Sequence, residues 1–290
     1  MKWLSRRRHF TIMIAPALAI YTGFLVYPVV YSVFYSFTDY DGITRPKYVG
    51  GANYGAMVHD HLFWSSLRNT AVILGIAVTV LLPLGFLLAV LFSGKVRGSA
   101  ALRPLLFAPA IIAPILVGLI WIYVLDPGIG LFNAFLAAIG VPLQPQWIGG
   151  TTLSPYSMAA VFIWQQVGFI LTIFYAGIRM LPKDVMEASE LDGATNVQRL
   201  RYITVPMLRQ TFGICAALII TGVFKIYELV YMLTGGGPVH MSEVLASYMY
   251  SVTFSDLRYS YGMAIAVVLG VLGIVGSLTS LILLRRKVAE

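Results

Sequence analysis

The sequence predicts an all-α polytopic membrane protein, with six transmembrane helices and both termini cytoplasmic. Three observations lead there. Only 11% of the 290 residues are charged, against 59% hydrophobic, whereas a soluble domain usually carries about 25% charged residues. Six apolar runs reach the roughly 20 residues that a helix needs to cross a ~30 Å hydrocarbon core. Most of the basic residues gather on one side of those runs.

The runs fall at 10–37, 67–93, 104–125, 155–178, 207–233 and 261–284. The first follows Lys2, Arg6, Arg7 and Arg8, as a signal peptide would. Its apolar stretch of about 28 residues exceeds the roughly 7–15 of a signal core, and no small-x-small cleavage site follows. It is expected to be retained as a helix. Pro28, Pro83, Pro109 and Pro114 would forbid long helices in water, but in lipid neighbouring helices can cover the backbone groups they free. The longest gap between runs is about 30 residues, so 1–290 is read as one transmembrane domain. The outer segments 38–66, 126–154 and 234–260 carry turn chemistry such as "DPGIG" and "TGGGP". The inner segments are 94–103 and 179–206.

A net charge of +8 raises nucleic acid as a partner, and the placement of the bases argues against it. Fifteen of the 20 Lys and Arg form four groups: Lys2, Arg6, Arg7 and Arg8; Lys95, Arg97 and Arg103; Arg179, Lys183, Arg199, Arg201 and Arg209; Arg285, Arg286 and Lys287. In a six-span chain all four groups share one side, which the positive-inside rule makes cytoplasmic. Asp39, Asp41, Asp60, Asp126, Glu243 and Asp256 lie opposite. The lone Cys215 allows no intrachain disulfide, and His59 with His61 is too slight a pattern for a metal site. No G-x-x-x-x-G-K-[ST] occurs, so no P-loop here cradles ATP and its Mg. No paired carboxylates or Ser–His–Asp set suggests an enzyme.

One inner stretch, "EASELDGATNVQRLRYITVP" (187–206), is far more polar than its flanks. Pro182 suits a first helical turn, with Asp184 and Glu187 near its positive end. Val185, Ala188 and Leu191 recur at three-residue spacing and give one apolar face. Gly193 stands where a helix C-terminus favours a left-handed residue. Thr195 and Gln198 have capping-box spacing, so a second helix starts at once. Leu200 and Ile203 form its apolar side, and Pro206 separates it from the fifth run. From these residues alone, the result is either a docking knob or an amphipathic loop resting on lipid headgroups.

The same residues resemble the cytoplasmic signature of ABC importer permeases: E-A-A, three residues, G, nine residues, I-x-L-P. Here it reads Glu187-Ala188-Ser189, Gly193, then Ile203-Thr204-Val205-Pro206, with Ser189 and Val205 as departures. In that family the knob docks into a cleft of a separate ATPase subunit, which implies docking roles for Glu187, Ala188, Gly193, Leu191 and Asp192. The stretches at 15–42, 48–70 ("YVGGANYGAMVHDHLFWSSLRNT"), 164–188 and 224–238 ("FKIYELVYMLTGGGP") resemble carbohydrate permeases of the maltose/glycerol-3-phosphate type. The likeness is to the maltose F-type subunit, without its large outer domain. It implies a type I ABC importer permease fold in the bacterial inner membrane, a second permease, two ABC ATPase subunits holding ATP and Mg, and an external sugar-binding protein.

Polar groups within spans are functional candidates. Gln165 and Gln166, midway along the fourth run, suit either sugar hydroxyls or an interhelical bond. Thr221 suits a bond to its own helix backbone. Lys225 and Glu228, three apart on the fifth run, share a face, as a structural pair or as lining of a sugar path. Tyr175, Tyr227 and Tyr231 could stack on a pyranose or belong to an interfacial belt. An ion-coupled carrier, the rival class, requires a buried titrating acid, and only Glu228 qualifies.

Overall fold

A computed structural model describes residues 7–94, 98–141, 145–150, 152–237 and 240–285. Among these residues no strand forms, and one antiparallel bridge joins Thr38 and Tyr48. The helices in chain order are α1 (Met13–Tyr35), α2 (Ala52–Val58), α3 (His61–Ser93), α4 (Ser99–Ile111), α5 (Pro114–Leu125), α6 (Leu131–Ala138), α7 (Ser154–Arg179), α8 (Lys183–Leu191), α9 (Asn196–Met207), α10 (Arg209–Phe224), α11 (Glu228–Thr234), α12 (Leu245–Tyr250) and α13 (Tyr259–Arg285).

α1, α3, α7 and α13 are each long and apolar enough to cross a membrane. Two other expected spans are not straight. The run 104–125 is two helices, α4 and α5, bent by 100°. The break falls at Ile112 and Ala113, with ψ of 133° and 136°, because a proline disfavours the helical region for the residue before it and Pro114 then heads α5. The run 207–233 stops at Phe224, passes through Lys225, Ile226 and Tyr227, and resumes as α11. At its start, α9 meets α10 at a 68° bend.

Three of the prolines that stay inside helices are absorbed in one recurring way, whereas Pro16, Pro104 and Pro109 sit in helices without such a turn. The π-helical turns Thr22–Val26, Ala77–Leu81 and Leu200–Thr204 each end two residues before a proline: Pro28, Pro83 and Pro206. A proline ring clashes with the carbonyl four residues back. That carbonyl lies within the π turn each time, and the wider turn relieves the collision.

The chain divides into two compact units. The described part of the first is 7–60 with 249–270. Its α1 presents its apolar side chains outward, with none of the most hydrophobic window buried. Tyr27, Tyr31 and Tyr35 stack along it with ring centroids 5.2 and 4.6 Å apart. The loop after α1 is tied down by Asn53, whose Nδ2 donates to the carbonyls of Ser36 and Thr38 at 2.8 Å. Ser260 adds a hydroxyl contact to Thr38 at 3.0 Å and accepts from the Tyr40 N–H at 2.8 Å.

The described part of the second unit is 61–248 with 271–285. Its axis is α7, 61% buried over its most hydrophobic window, packed by α3, α4, α5, α10 and α11. Phe174 interlocks with Phe86 and Phe212 at centroid distances of 5.4 and 4.6 Å. α4 approaches so closely that a Cβ on Gly168 would lie 2.0 Å from the Leu106 carbonyl oxygen. Small residues permit such backbone approach between membrane helices.

Candidate functional site

The polar stretch folds as two helices around a tight turn. α8 ends in a Schellman motif: Gly193 takes φ +77°, the Ala194 N–H donates to the Ser189 carbonyl at 3.0 Å, and the Gly193 N–H to that of Glu190 at 3.1 Å. α9 begins at once from a full capping box. The Thr195 N–H donates to Gln198 Oε1 at 2.8 Å, and the Gln198 N–H to Thr195 Oγ1 at 3.3 Å. Arg199 ties the halves together by pairing with Glu190 across the turn and with Asn196. Pro182 sits one residue outside α8, at its N-cap.

The faces of this helix pair are distributed unexpectedly. Val185, Ala188 and Leu191 do line up, but they point away from the protein, with Leu191 90% exposed. The packed face is Met186 with Ser189, which is 6% exposed and returns its hydroxyl to the Met186 carbonyl at 2.7 Å. That explains the tolerance of serine at 189: the position needs a small side chain, and the hydroxyl satisfies itself. Glu187 and Asp192 are exposed beside the apolar stripe. On α9, Leu200 and Ile203 are half-buried, while Val197 and Tyr202 are exposed. Pro206 does not end α9; the break comes at Leu208 (φ −86°, ψ 9°), buried at 2%. A cavity of about 440 Å³ separates the pair from the ends of α3 and α7, between Val90, Ile178, Met186 and Leu200.

A second site forms where the two helix breaks face the middle of α7. A cavity of about 210 Å³ is lined by Pro114, Phe162, Gln165, Gln166, Gly222, Lys225, Ile226, Tyr227, Glu228 and Leu229. Gln165 is 2% exposed, and its Nε2 donates to the Ile112 carbonyl at 3.0 Å. It thereby satisfies a group that the α4–α5 break removes from helical pairing. Gln166 is half-buried, and its side-chain amide makes no hydrogen bond to another described residue. Lys225 and Glu228 do not share a helical face, because the helix stops between them, and they form no ion pair with each other. Both are exposed in the chain and reach the cavity from opposite sides of the break. Replacing Gln165 with Leu is expected to cost about 1 kcal/mol, lowering the unfolding midpoint of the detergent-purified chain by about 2–4 °C. An unchanged midpoint would mean that Ile112 has another partner.

The remaining candidates lie elsewhere. Thr221 donates to the Ala217 carbonyl at 2.8 Å and meets Ser277 at 3.1 Å, a helix-backbone and interhelical role. Tyr231 is 54% exposed and stacks on Tyr227 with centroids 5.6 Å apart. Tyr175 is ten residues along α7 from Gln165, and Arg103 covers its ring at 4.4 Å. Missing from the sequence-derived set are Ile112, Pro114, Phe162 and Gly222, which become site residues only because the chain breaks beside them. The Asn-Thr pair of 48–70 likewise acquires a reason. Asn69 donates to the carbonyls of Met241 and Glu243 at 2.9 Å, and Thr70 accepts from the Leu245 N–H at 2.9 Å, holding the loop before α12. Pro238, Lys2, Arg6, Lys95, Arg97, Arg286 and Lys287 lie outside the described residues.

Comparison with solved structures shows the fold. The chain superposes on one in the crystal structure of a bacterial ABC transporter involved in the import of the acidic polysaccharide alginate. The TM-score is 0.84 at 20% identity, over 99% of this chain and 98% of the other. The two chains therefore share one fold. Residues 81–288 match the model of the binding-protein-dependent transport system inner membrane component, and the chain belongs to that family. It is 33% identical to a probable ABC transporter permease protein of Pyrococcus horikoshii, over 92% of each chain. To a probable starch degradation products transport system permease protein of Thermoanaerobacterium thermosulfurigenes it is 26% identical, over 97% of this chain and 95% of the other.

Proposed function

We propose that this chain is one of two different permease subunits of a binding-protein-dependent ABC importer, that it spans the bacterial inner membrane six times with both termini cytoplasmic, and that it carries a saccharide inward. The observation that carries this is the exposed stripe of Val185, Ala188 and Leu191, flanked by Glu187 and Asp192 and held out by the turn at Gly193. An apolar stripe turned to water next to acidic groups costs free energy unless a partner covers it, and complementary charge sets the register of that partner. Two ABC ATPase subunits, holding ATP and Mg, supply the cover and the stroke. An external sugar-binding protein delivers the substrate.

Within the membrane, Gln166, Lys225 and Glu228 hold the saccharide at the cavity between the helix breaks. An amide, an ammonium and a carboxylate there can donate to and accept from hydroxyls, and aliphatic and aromatic walls meet the ring faces. The probable starch-product permease and the alginate importer support a saccharide as cargo. The sequence of events is delivery at the outer face, closure of the ATPases on α8, transmission through the α9–α10 bend, and release inward. Proteoliposomes containing the assembled importer are expected to accumulate sugar only with ATP on the cytosolic side and the receptor outside, indifferent to a protonophore. Uphill uptake by this chain alone on a proton or sodium gradient would make it a secondary carrier instead.

A further inference from the structure

A third cavity lies apart from both sites, in the groove between α4 and α7. It measures about 530 Å³ and runs past Arg103, Pro104, Phe107, Leu171 and Tyr175. At one end two guanidinium groups converge on one phenol. The Arg103 Cζ lies 4.4 Å above the Tyr175 ring, and Arg179 Nε donates to the Tyr175 hydroxyl at 3.1 Å. Arg103 is braced further by donating from Nε to the Ser99 carbonyl at 3.1 Å. Neither arginine forms an ion pair with a carboxylate of the described residues. Two like charges are thus held near one another by an aromatic ring and a backbone carbonyl, with no carboxylate of the described residues paired to offset them.

One helical turn deeper the groove turns apolar. Phe107 follows Arg103 by four residues on α4, and Leu171 precedes Tyr175 by four on α7. A cationic layer therefore stands directly over a hydrocarbon-like one. Arg103 is in the opening turns of α4 and Arg179 is the last residue of α7, where headgroups meet helices that cross a bilayer. An occupant matching both layers carries a phosphate for the arginines and a chain for the groove. Guanidinium suits a phosphodiester through paired hydrogen bonds, and basic pockets between helices on the cytoplasmic side recruit anionic lipid headgroups.

We propose that this groove binds one anionic phospholipid of the inner leaflet, its phosphate between Arg103 and Arg179 and an acyl chain against Phe107 and Leu171. This rests on the cytoplasmic orientation proposed above, but lipid selectivity is read without sugar or ATP, so either reading can fail alone. The purified importer in mixed micelles is offered phosphatidylglycerol and phosphatidylcholine of equal chain length, and bound lipid is counted by native mass spectrometry. Each arginine near a headgroup favours the anionic lipid by roughly fivefold, so a preference of about 30-fold is expected. It should fall to about 1 in the Arg103→Gln/Arg179→Gln variant and largely persist in Arg103→Lys/Arg179→Lys. If the glutamine pair does not reach the membrane, Arg103→Gln alone decides, with an expected loss of about fivefold. A preference unchanged by these variants would overturn the site. So would displacement of the lipid by millimolar glycerol phosphate, which would make it a soluble phosphate-ester site, or by a neutral saccharide, which would return Tyr175 to the sugar path.

Discussion

Replacing Gly193 with Val is expected to leave the protein in the membrane and its partners hydrolysing ATP, while sugar uptake falls by about tenfold or more. Gly193 holds φ +77°, and a Cβ there would meet nothing within 4 Å. The penalty is therefore conformational: about 1–2 kcal/mol for an ordinary L-residue in the left-handed region, and more for a β-branched one. Relief means unwinding the turn, which breaks the Ala194-to-Ser189 and Gly193-to-Glu190 bonds and shifts α8 relative to α9. No buried packing is lost, so the span bundle should be unaffected. A strain of that size corresponds to about a tenfold change in the population of the docked geometry. Gly193→Asn is the control, since asparagine enters the left-handed region readily and should retain most uptake. Paired measurements of ATPase rate and uptake check it; normal accumulation by the valine variant would remove α8 from the coupling role.

Gly168→Val should act on the opposite property, destroying stability before function can be asked about. A Cβ at 168 would sit 2.0 Å from the Leu106 oxygen, 2.4 Å from its carbonyl carbon and 2.6 Å from the Phe107 Cα. Those are backbone atoms, so no side-chain rotation clears the space, and α4 must move away from α7. Overpacking that forces backbone shifts costs about 1–3 kcal/mol and occasionally more. Here the upper end is expected, because the displacement also disturbs the Gln165 bond to Ile112 in the same break. The measured result should be a sharp fall in membrane abundance and a midpoint lowered by about 6–10 °C after purification. Gly75→Ala, where a Cβ meets nothing within 4 Å, is the matched control and should leave both unchanged.

The two glycines also show what kind of information a sequence carries. Gly193 was legible because everything that requires it lies within six residues: the end of α8, the following N-cap and the capping box at Thr195 and Gln198. Gly168 was not legible, because its constraint comes from Leu106 on another helix. The same division runs through the proposed sugar site. Gln165 and Gln166 stood out as amides in an apolar run, but the carbonyl that claims Gln165 lies 53 positions away. The shared face expected of Lys225 and Glu228, as a pair or as lining of a sugar path, requires a continuous helix, and the break between them cancels that geometry. Tyr175 was legible only as an aromatic residue; its ring is held by Arg103 from another helix.

Composition, periodicity and charge placement were enough by themselves to determine a helical membrane chain, the order of its apolar runs and the turn between α8 and α9. Each depends on transfer of a segment between solvents or on hydrogen bonds spanning a few residues. Only the tertiary structure decided which face of α8 is packed, where the third and fifth runs break, and which polar side chains meet across the cavity. Those outcomes depend on backbone groups that proline or a helix end leaves unpaired, and a buried carbonyl takes whichever donor the folded chain brings within reach.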